Sequence, residues 1–307
     1  MSGLLDAAVL GALLAQMLRI SVPYAFASLG GTFSERGGTV NIALEGILLN
    51  GAFAAAVGTW FGHSPWLGVL CGMGAGLATA LVHAVACITF RADQIVSGVA
   101  LNLLSVGLTK FLLKVIFDST SNSPRIEGLP EWHVPGLAGI APLQTLLGTP
   151  LILLAAVCVL AGARVLFRTP FGLRLRACGE HPEAADAMGV SVTGTRYAGV
   201  LISGALGGLG GAWLALDQHS FTDGMSGGRG YIALAAMIVG KWNPWGAAGA
   251  CLLFGLAETL QLRLQGGRVP TQFIQMIPYV LTIVVLAGFI GRSVPPRMDG
   301  VPYRKEQ

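Results

Sequence analysis

RTPFGLRLRACGEHPEAADAMGVSVTGTR (168–196) is the one long polar, charge-rich stretch between hydrophobic blocks that are otherwise nearly unbroken. It carries Arg168, Arg174, Arg176 and Arg196, with Glu180, Glu183 and Asp186 between them. Its middle predicts a short helix over 182–188. Pro182 suits the first helical position, Glu183 and Asp186 suit the positive helix start, and Gly189 suits the stop. A short amphipathic helix held outside a membrane between two spans has the form of a docking surface for a soluble partner. The competing reading is an ordinary basic loop, which the positive-inside rule places on the cytoplasmic side.

That a membrane is involved follows from composition. Of 307 residues, 53% are hydrophobic and 11% charged, with a mean hydropathy of +0.69. Soluble domains carry about a quarter charged residues, so this is a polytopic, all-α membrane chain treated as one domain over 1–307. The net charge of +4 is scattered over loops without aromatic interleaving, which excludes nucleic acid as a partner. The 44 glycines suit helices that pack closely without a hydrophobic drive. The cysteines and histidines have neither disulfide nor metal-ligand spacing, so no metal site is expected. No cleavable signal is expected at the N-terminus, where no basic residue precedes Arg19.

Outward from the polar stretch, apolar blocks fall at 4–31, 39–61, 66–89, 94–117, 150–167, 197–216, 230–243, 245–262 and 274–291, giving nine candidate spans, the one at 230–243 short. Pro124, Pro130, Pro135 and Pro142 argue against a continuous helix in 118–149. The basic residues of 168–196 and of the 292–307 tail place both in the cytoplasm. Segment 118–149 has Arg125 as its only Arg or Lys, and falls outside together with the N-terminus. Arg263 and Arg268 then fall outside, against the rule.

An internal repeat crosses this pattern. GGTVNIALEGI (37–47) and GGRGYIALAAM (227–237) share GG and IAL at identical spacing, and each opens a hydrophobic segment after a polar break. On this topology the two segments cross in opposite directions, as an inverted repeat with broken helices requires. Chance similarity in a Gly/Ala/Ile/Leu-rich chain is the alternative.

GMSGG (224–228) formally fits G-x-S-x-G, with Asp217 and His219 nearby. A hydrolase elbow needs a strand-turn-helix setting with its partners arriving later in the chain, so a glycine-rich re-entrant loop is the better reading. SGALGGLGGA (203–212) lacks a preceding strand. Its Ser203, Gly207 and Gly211 recur every fourth residue and make a smooth helix face for close packing. There is no GxxxxGK[ST], so the chain has no P-loop of its own for ATP.

Polar groups inside the blocks are few. Asn41 and Glu45 lie four residues apart, which puts them on one helical face. Asn102 and Ser105 share a face of the fourth block, Glu258 and Gln261 one of the eighth. Intramembrane ionisable groups are costly and stand as functional candidates, so Asn41, Glu45 and Asn102 are candidates for a translocation pathway. Hydrogen bonding between helices is the alternative role for each.

SERGGTVNIALEGILLNGAF (34–53) resembles the signature near the start of bacterial ABC-importer permeases for nucleosides and simple sugars, within the wider family of ribose and branched-chain amino acid permeases. FGLRLRACGEHPEAADAMGV (171–190) is similar to that family's cytoplasmic coupling loop, and GRGYIALAAMIVGKWNPWGA (228–247) and IPYVLTIVVLAG (277–288) to its second half. NIALEG and GRGYIALAA look most like permeases paired with basic-membrane-lipoprotein-type nucleoside receptors. The resemblance implies a non-enzymatic permease subunit in the bacterial inner membrane. It implies ABC ATPase subunits that bind ATP and Mg, so that no cofactor is bound by this chain, and an extracytoplasmic substrate-binding lipoprotein. It also implies a second permease subunit, often different, making a heterodimer. Gly179, Glu180, Pro182, Ala185 and Gly189 match the loop pattern, and the resemblance carries the coupling role onto them.

The expected solute is a nucleoside, with a simple sugar as the alternative within the class. A stand-alone secondary transporter using Glu45 or Glu258 as a proton site is the alternative from another class. The capped helix at 182–188 separates them, because a secondary transporter has no need of it.

Overall fold

The computed structural model describes residues 7–133, 135–136, 140–265 and 293–304, with 273, 276, 280, 283 and 284 besides. Its regular structure is helical apart from an isolated antiparallel bridge between Asn122 and Thr222. Among the described residues eleven α-helices follow one another: α1 Ala7–Arg36, α2 Leu44–Gly62, α3 Pro65–Ala84 with a π turn at Val85–Thr89, α4 Gln94–Phe117, α5 Ala141–Gly148, α6 Pro150–Arg168, α7 Pro170–Glu180, α8 Pro182–Ala187, α9 Val192–Asp217, α10 Arg229–Val239 and α11 Pro244–Leu264.

Seven helices among the described residues are long and apolar enough to cross a membrane. They account for seven of the nine expected spans. The eighth, at 230–243, is the eleven-residue α10, too short to cross alone. The ninth, at 274–291, lies almost wholly outside the described residues. The polar stretch is less of a loop than its composition suggests. Thr169 caps α7 through Gly172 N, Ser191 caps α9 through Gly194 N, and α8 lies between them as expected.

α9 is the central helix, packed against α1, α2 and α3. Its glycines sit where the backbones cross. An added Cβ on Gly76 would lie 2.6 Å from Gly208 Cα, and one on Gly51 would lie 2.8 Å from the same atom. The smooth face expected over 203–212 is therefore a crossing surface for two helices.

Two ends are defined by what they hold. At one end lie the described residues of 118–149, the last turn of α9 and Arg19 of α1. Arg19 pairs with Glu131 at 2.8 Å and Asp217 at 3.0 Å, and the Ser123 and Ile126 backbone amides donate to the Phe221 and His219 carbonyls. At the other end lie the last turn of α1, α7, α8, the α10–α11 turn and residues 293–303. Segments 168–196 and the described part of the tail thus share one end, as their charge suggests, and 118–149 lies at the opposite one. Arg196 departs from its reading as a loop charge: it is 3% exposed in α9 and donates to the carbonyls of Val301 and Cys178.

Candidate translocation and coupling sites

The two repeat segments meet inside the bundle. α10 starts directly after Gly228, where Gly224, Gly227 and Gly228 all have positive φ, and the turn they make places it there. From this point α10 runs towards the α7–α8 end, while α2 runs towards 118–149. The helix starts touch backbone to backbone, since a Cβ on Gly230 would lie 2.5 Å from Glu45 Cα and 2.8 Å from the Leu44 carbonyl carbon. The opposed directions expected of an inverted repeat are present. The breaks themselves differ by five residues, because 39–43 stays non-helical before α2 whereas the matching 229–233 is already helix.

That difference corrects the pairing of Asn41 with Glu45. Outside a helix, four residues no longer mean a shared face. Asn41 is fully buried and donates from Nδ2 to Ser203 Oγ of α9 at 2.9 Å. Glu45 points instead at α10, its carboxylate accepting from Gly228 N at 2.8 Å and Gly230 N at 2.7 Å. It sits in the first turn of α2 and caps α10, so one carboxylate serves two helix starts.

Non-helical backbone at membrane depth survives only where the protein satisfies it. Ser34 Oγ donates to Thr39 O at 2.6 Å, and Val40 N donates to Gln94 Oε1 at 2.7 Å. His83 Nε2 lies 3.0 Å from Val40 O. Asn102 donates to Ile42 O at 2.9 Å and accepts from Gly46 N at 2.8 Å, acting as a remote cap for α2, and its amide also donates to the Tyr231 hydroxyl at 3.0 Å. Asn102 is thereby a bridge between α4, α2 and α10. His83, Gln94 and Ser34 escaped sequence reasoning. The signal that could have found them is a polar residue in an apolar block that has a Gly-Gly break to serve.

Arg229, one residue past the second Gly-Gly, was also missed. It pairs with Glu258 of α11 at 2.8 Å, and the Tyr24 hydroxyl of α1 bonds the same carboxylate. Glu258 is therefore a partnered charge.

At the α7–α8 end the five loop-pattern residues divide in two. Gly179, Pro182 and Ala185 are buried. Gly179 packs so closely on the end of α1 that a Cβ would run into the Arg36 carbonyl oxygen. Ala185 packs on Cys178 and Val192. Their small size serves packing within the chain. Glu180 and Gly189 are exposed, and Gly189 ends α8 with φ +79. The outward surface is completed by residues the pattern did not include, above all Met188 at 84% exposure, with Leu173 and Glu183.

Beside this surface, Asp299 of the tail faces Glu35 of α1 and Arg196 of α9. Burial pushes its carboxyl up to about 7, against the bonding of Glu35 and the charge of Arg196, which pull it down. The seated tail therefore binds the Asp299 proton more tightly than the free tail. Its seating is strongest below about pH 4, weakens as pH rises through the interval to about 7, and is level above that. Hydrogen exchange at the Met298 amide, corrected for intrinsic rate, should lose protection across that interval, and Asp299→Asn should flatten the profile. A wild-type profile without slope would rule out the titration.

Comparison with known proteins places this geometry. The family model described as the branched-chain amino acid transport system permease component matches residues 13–286. The guanosine ABC transporter permease protein NupQ of Bacillus subtilis is 43% identical over 97% of this chain and 98% of its own length. The nucleoside ABC transporter permease protein NupC of Lactococcus lactis is 44% identical over 96% and 97%. NupP, a second guanosine permease protein of B. subtilis, is 28% identical over 91% and 82%. Among solved structures, an inward-facing ABC transporter described as of the metal-chelate type aligns with a TM-score of 0.50 and 17% identity over 89% of this chain and 84% of that one, a likeness of fold alone. With the apolar helices, the broken pair and a family match along most of its length, the chain belongs to the branched-chain amino acid transport system permease component family, as a multi-pass membrane transport subunit.

Proposed function

We propose that the chain is a permease subunit of an ATP-driven importer that carries a nucleoside across the bacterial inner membrane. The observation that carries this is identity of 43% and 44%, over nearly whole chains, to permeases named for guanosine and for nucleosides. A neutral solute fits the interior, where Arg229 and Glu258 pair with each other and Glu45 is held by helix starts, so that among the described residues around this joint the charges are partnered.

In this reading the α7–α8 end, with the C-terminal tail, faces the cytoplasm and 118–149 faces out. ATP and Mg are held by a partner ATPase, which grips the surface made by Glu180, Glu183, Met188 and Gly189. Gly179, Pro182 and Ala185 act from beneath by fixing α8. An extracytoplasmic lipoprotein delivers the solute. The second permease is a different chain, which the coexistence in B. subtilis of NupQ and the more distant NupP supports. The solute passes the meeting point of α2 and α10, beside Glu45, Asn102 and half-exposed Tyr231, with Asn41 behind them. A proton-coupled carrier is not favoured, since it would leave the capped and exposed α8 without a task.

The test is purification from native membranes in mild detergent, with mass spectrometry of what accompanies the chain. An ATPase and a second permease are expected. Met188→Asp should leave the chain at wild-type level in the membrane yet reduce the accompanying ATPase and guanosine uptake about tenfold, because the exposed apolar tip is the contact. A chain that emerges folded and alone overturns the importer reading.

A further inference from the structure

Residues 293–303 touch the end of α10, the end of α7 and the cluster beneath α8. Ser293 Oγ donates to Ile238 O in the last turn of α10 at 3.0 Å. Met298 N donates to Gly179 O at the end of α7 at 2.8 Å, and Arg297 N donates to Glu180 Oε2 at 3.3 Å. Arg196 Nη1 donates to Val301 O at 2.8 Å. Tyr303 packs on the Cys178, Ala185 and Val192 cluster on which α8 rests.

All of this converges on Gly38. With φ +85, its added Cβ would lie 2.8 Å from Arg196 Nη2 and 3.2 Å from both Gly179 Cα and Met298 O. Three segments distant in sequence close on the break before α2, two through backbone atoms of Gly179 and Met298 and the third through the Arg196 guanidinium. Gly300 follows against Val40, the next part of that break.

We propose that 293–303 is a positioning strap that passes a displacement of α7–α8 to both broken helices together, at Gly38 and Val40 before α2 and at Ile238 closing α10. The inference rests on the reading of α7–α8 as the ATPase docking surface. The physical reason is mechanical. The non-helical 39–43 has no ladder of its own to carry a push along the chain, whereas packed backbone contacts transmit strain because protein interiors are barely compressible. The strap adds to the direct contact of Gly179 with Gly38 a link that reaches Val40 and Ile238 as well.

The test uses the importer purified with its ATPase, reconstituted in liposomes and supplied with radiolabelled guanosine. One variant stops after Val294. The other is full-length with a protease site between the exposed Val294 and Pro295. It is cut only after reconstitution and washed until mass spectrometry finds no tail peptide, so folding and assembly precede the loss. ATP hydrolysis and the bound ATPase should stay within about twofold, while guanosine accumulated per ATP hydrolysed falls at least tenfold. A synthetic 295–307 peptide should restore it, which a merely misfolded chain would not allow. Unchanged uptake per ATP after release overturns the strap. So does loss of the ATPase together with the tail, which would make the tail part of the docking surface only. A wild-type chain that never brings an ATPase would instead refute the docking reading, a result the same purification separates from the other two.

Discussion

Gly208→Leu should eliminate the folded chain from the membrane, while Gly74→Ala and Gly107→Ala should leave it at wild-type level. A Cβ on Gly208 would collide with the Gly72 carbonyl oxygen and lie 3.0 Å from Met73 Cα. On the reverse side, Gly51 and Gly76 are themselves packed on Gly208 Cα. Overpacking an ordinary core costs about 1–3 kcal/mol because side chains can shift. Here the atoms met are backbone atoms of α3, with α2 also held against the same Cα, and no rotamer change relieves them. Separating the helices forfeits the dispersion that holds them, for which lipid supplies no hydrophobic substitute. A net stability of about 5–15 kcal/mol does not survive the loss of that crossing. Gly74 and Gly107 have nothing within 4 Å of an added Cβ, so they report whether an extra methyl group matters in itself. Membrane abundance and the thermal midpoint in detergent are the measurements. Wild-type values for Gly208→Leu would mean that α9 does not cross α2 and α3 as described.

The second large effect is expected at Glu45. Replacing it with alanine leaves the Gly228 and Gly230 amides without their acceptor at the start of α10. Hydrogen bonds to a charged group contribute about 1.5–3 kcal/mol each, and an anion at a helix start adds up to about 2 kcal/mol where partly buried. Loss of the pair, roughly 3–6 kcal/mol, should free α10 from α2 and reduce nucleoside uptake about a hundredfold or more. Glu45→Gln keeps one acceptor without the charge and should recover part of that uptake. Glu45→Ala with normal uptake and an unchanged thermal midpoint would show that the joint between α2 and α10 is held by something else.

Much of this architecture is legible in the chain because the bilayer imposes it. Long apolar blocks must be helices, and a proline-opened, glycine-closed segment between them must be a short helix outside. The repeat at 37–47 and 227–237 even predicts that two segments run oppositely. What sequence alone does not disclose is the partner of each polar group. Asn41 and Glu45 are four residues apart, yet they separate because His83, Gln94 and Asn102, brought from α3 and α4, satisfy 40–42 without a helix. Arg196 resembles any loop arginine until two carbonyls from distant segments are found on it. The small residues of 168–196 are misleading for a related reason: close packing leaves the same signature whether the neighbour is another protein or the chain's own α1. The tail reads as basic composition, and its seating on Gly38 depends on contacts with no sequence spacing.

The arrangement around Glu45 has an electrical consequence. Each helix start contributes roughly half a positive charge, so α2 and α10 together present about one, matched by a single carboxylate. Arg229, between Gly228 and Gly230 at the start of α10, and Glu258 of α11 cancel in the same way. If these groups shift together as the half-helices move, almost no net charge travels through the transmembrane field. Moving one elementary charge through it would involve about 2.3 kcal/mol per 100 mV. Carriage of an uncharged solute past this joint should therefore proceed at the same rate in energised and de-energised membranes, leaving ATP as its sole driving force.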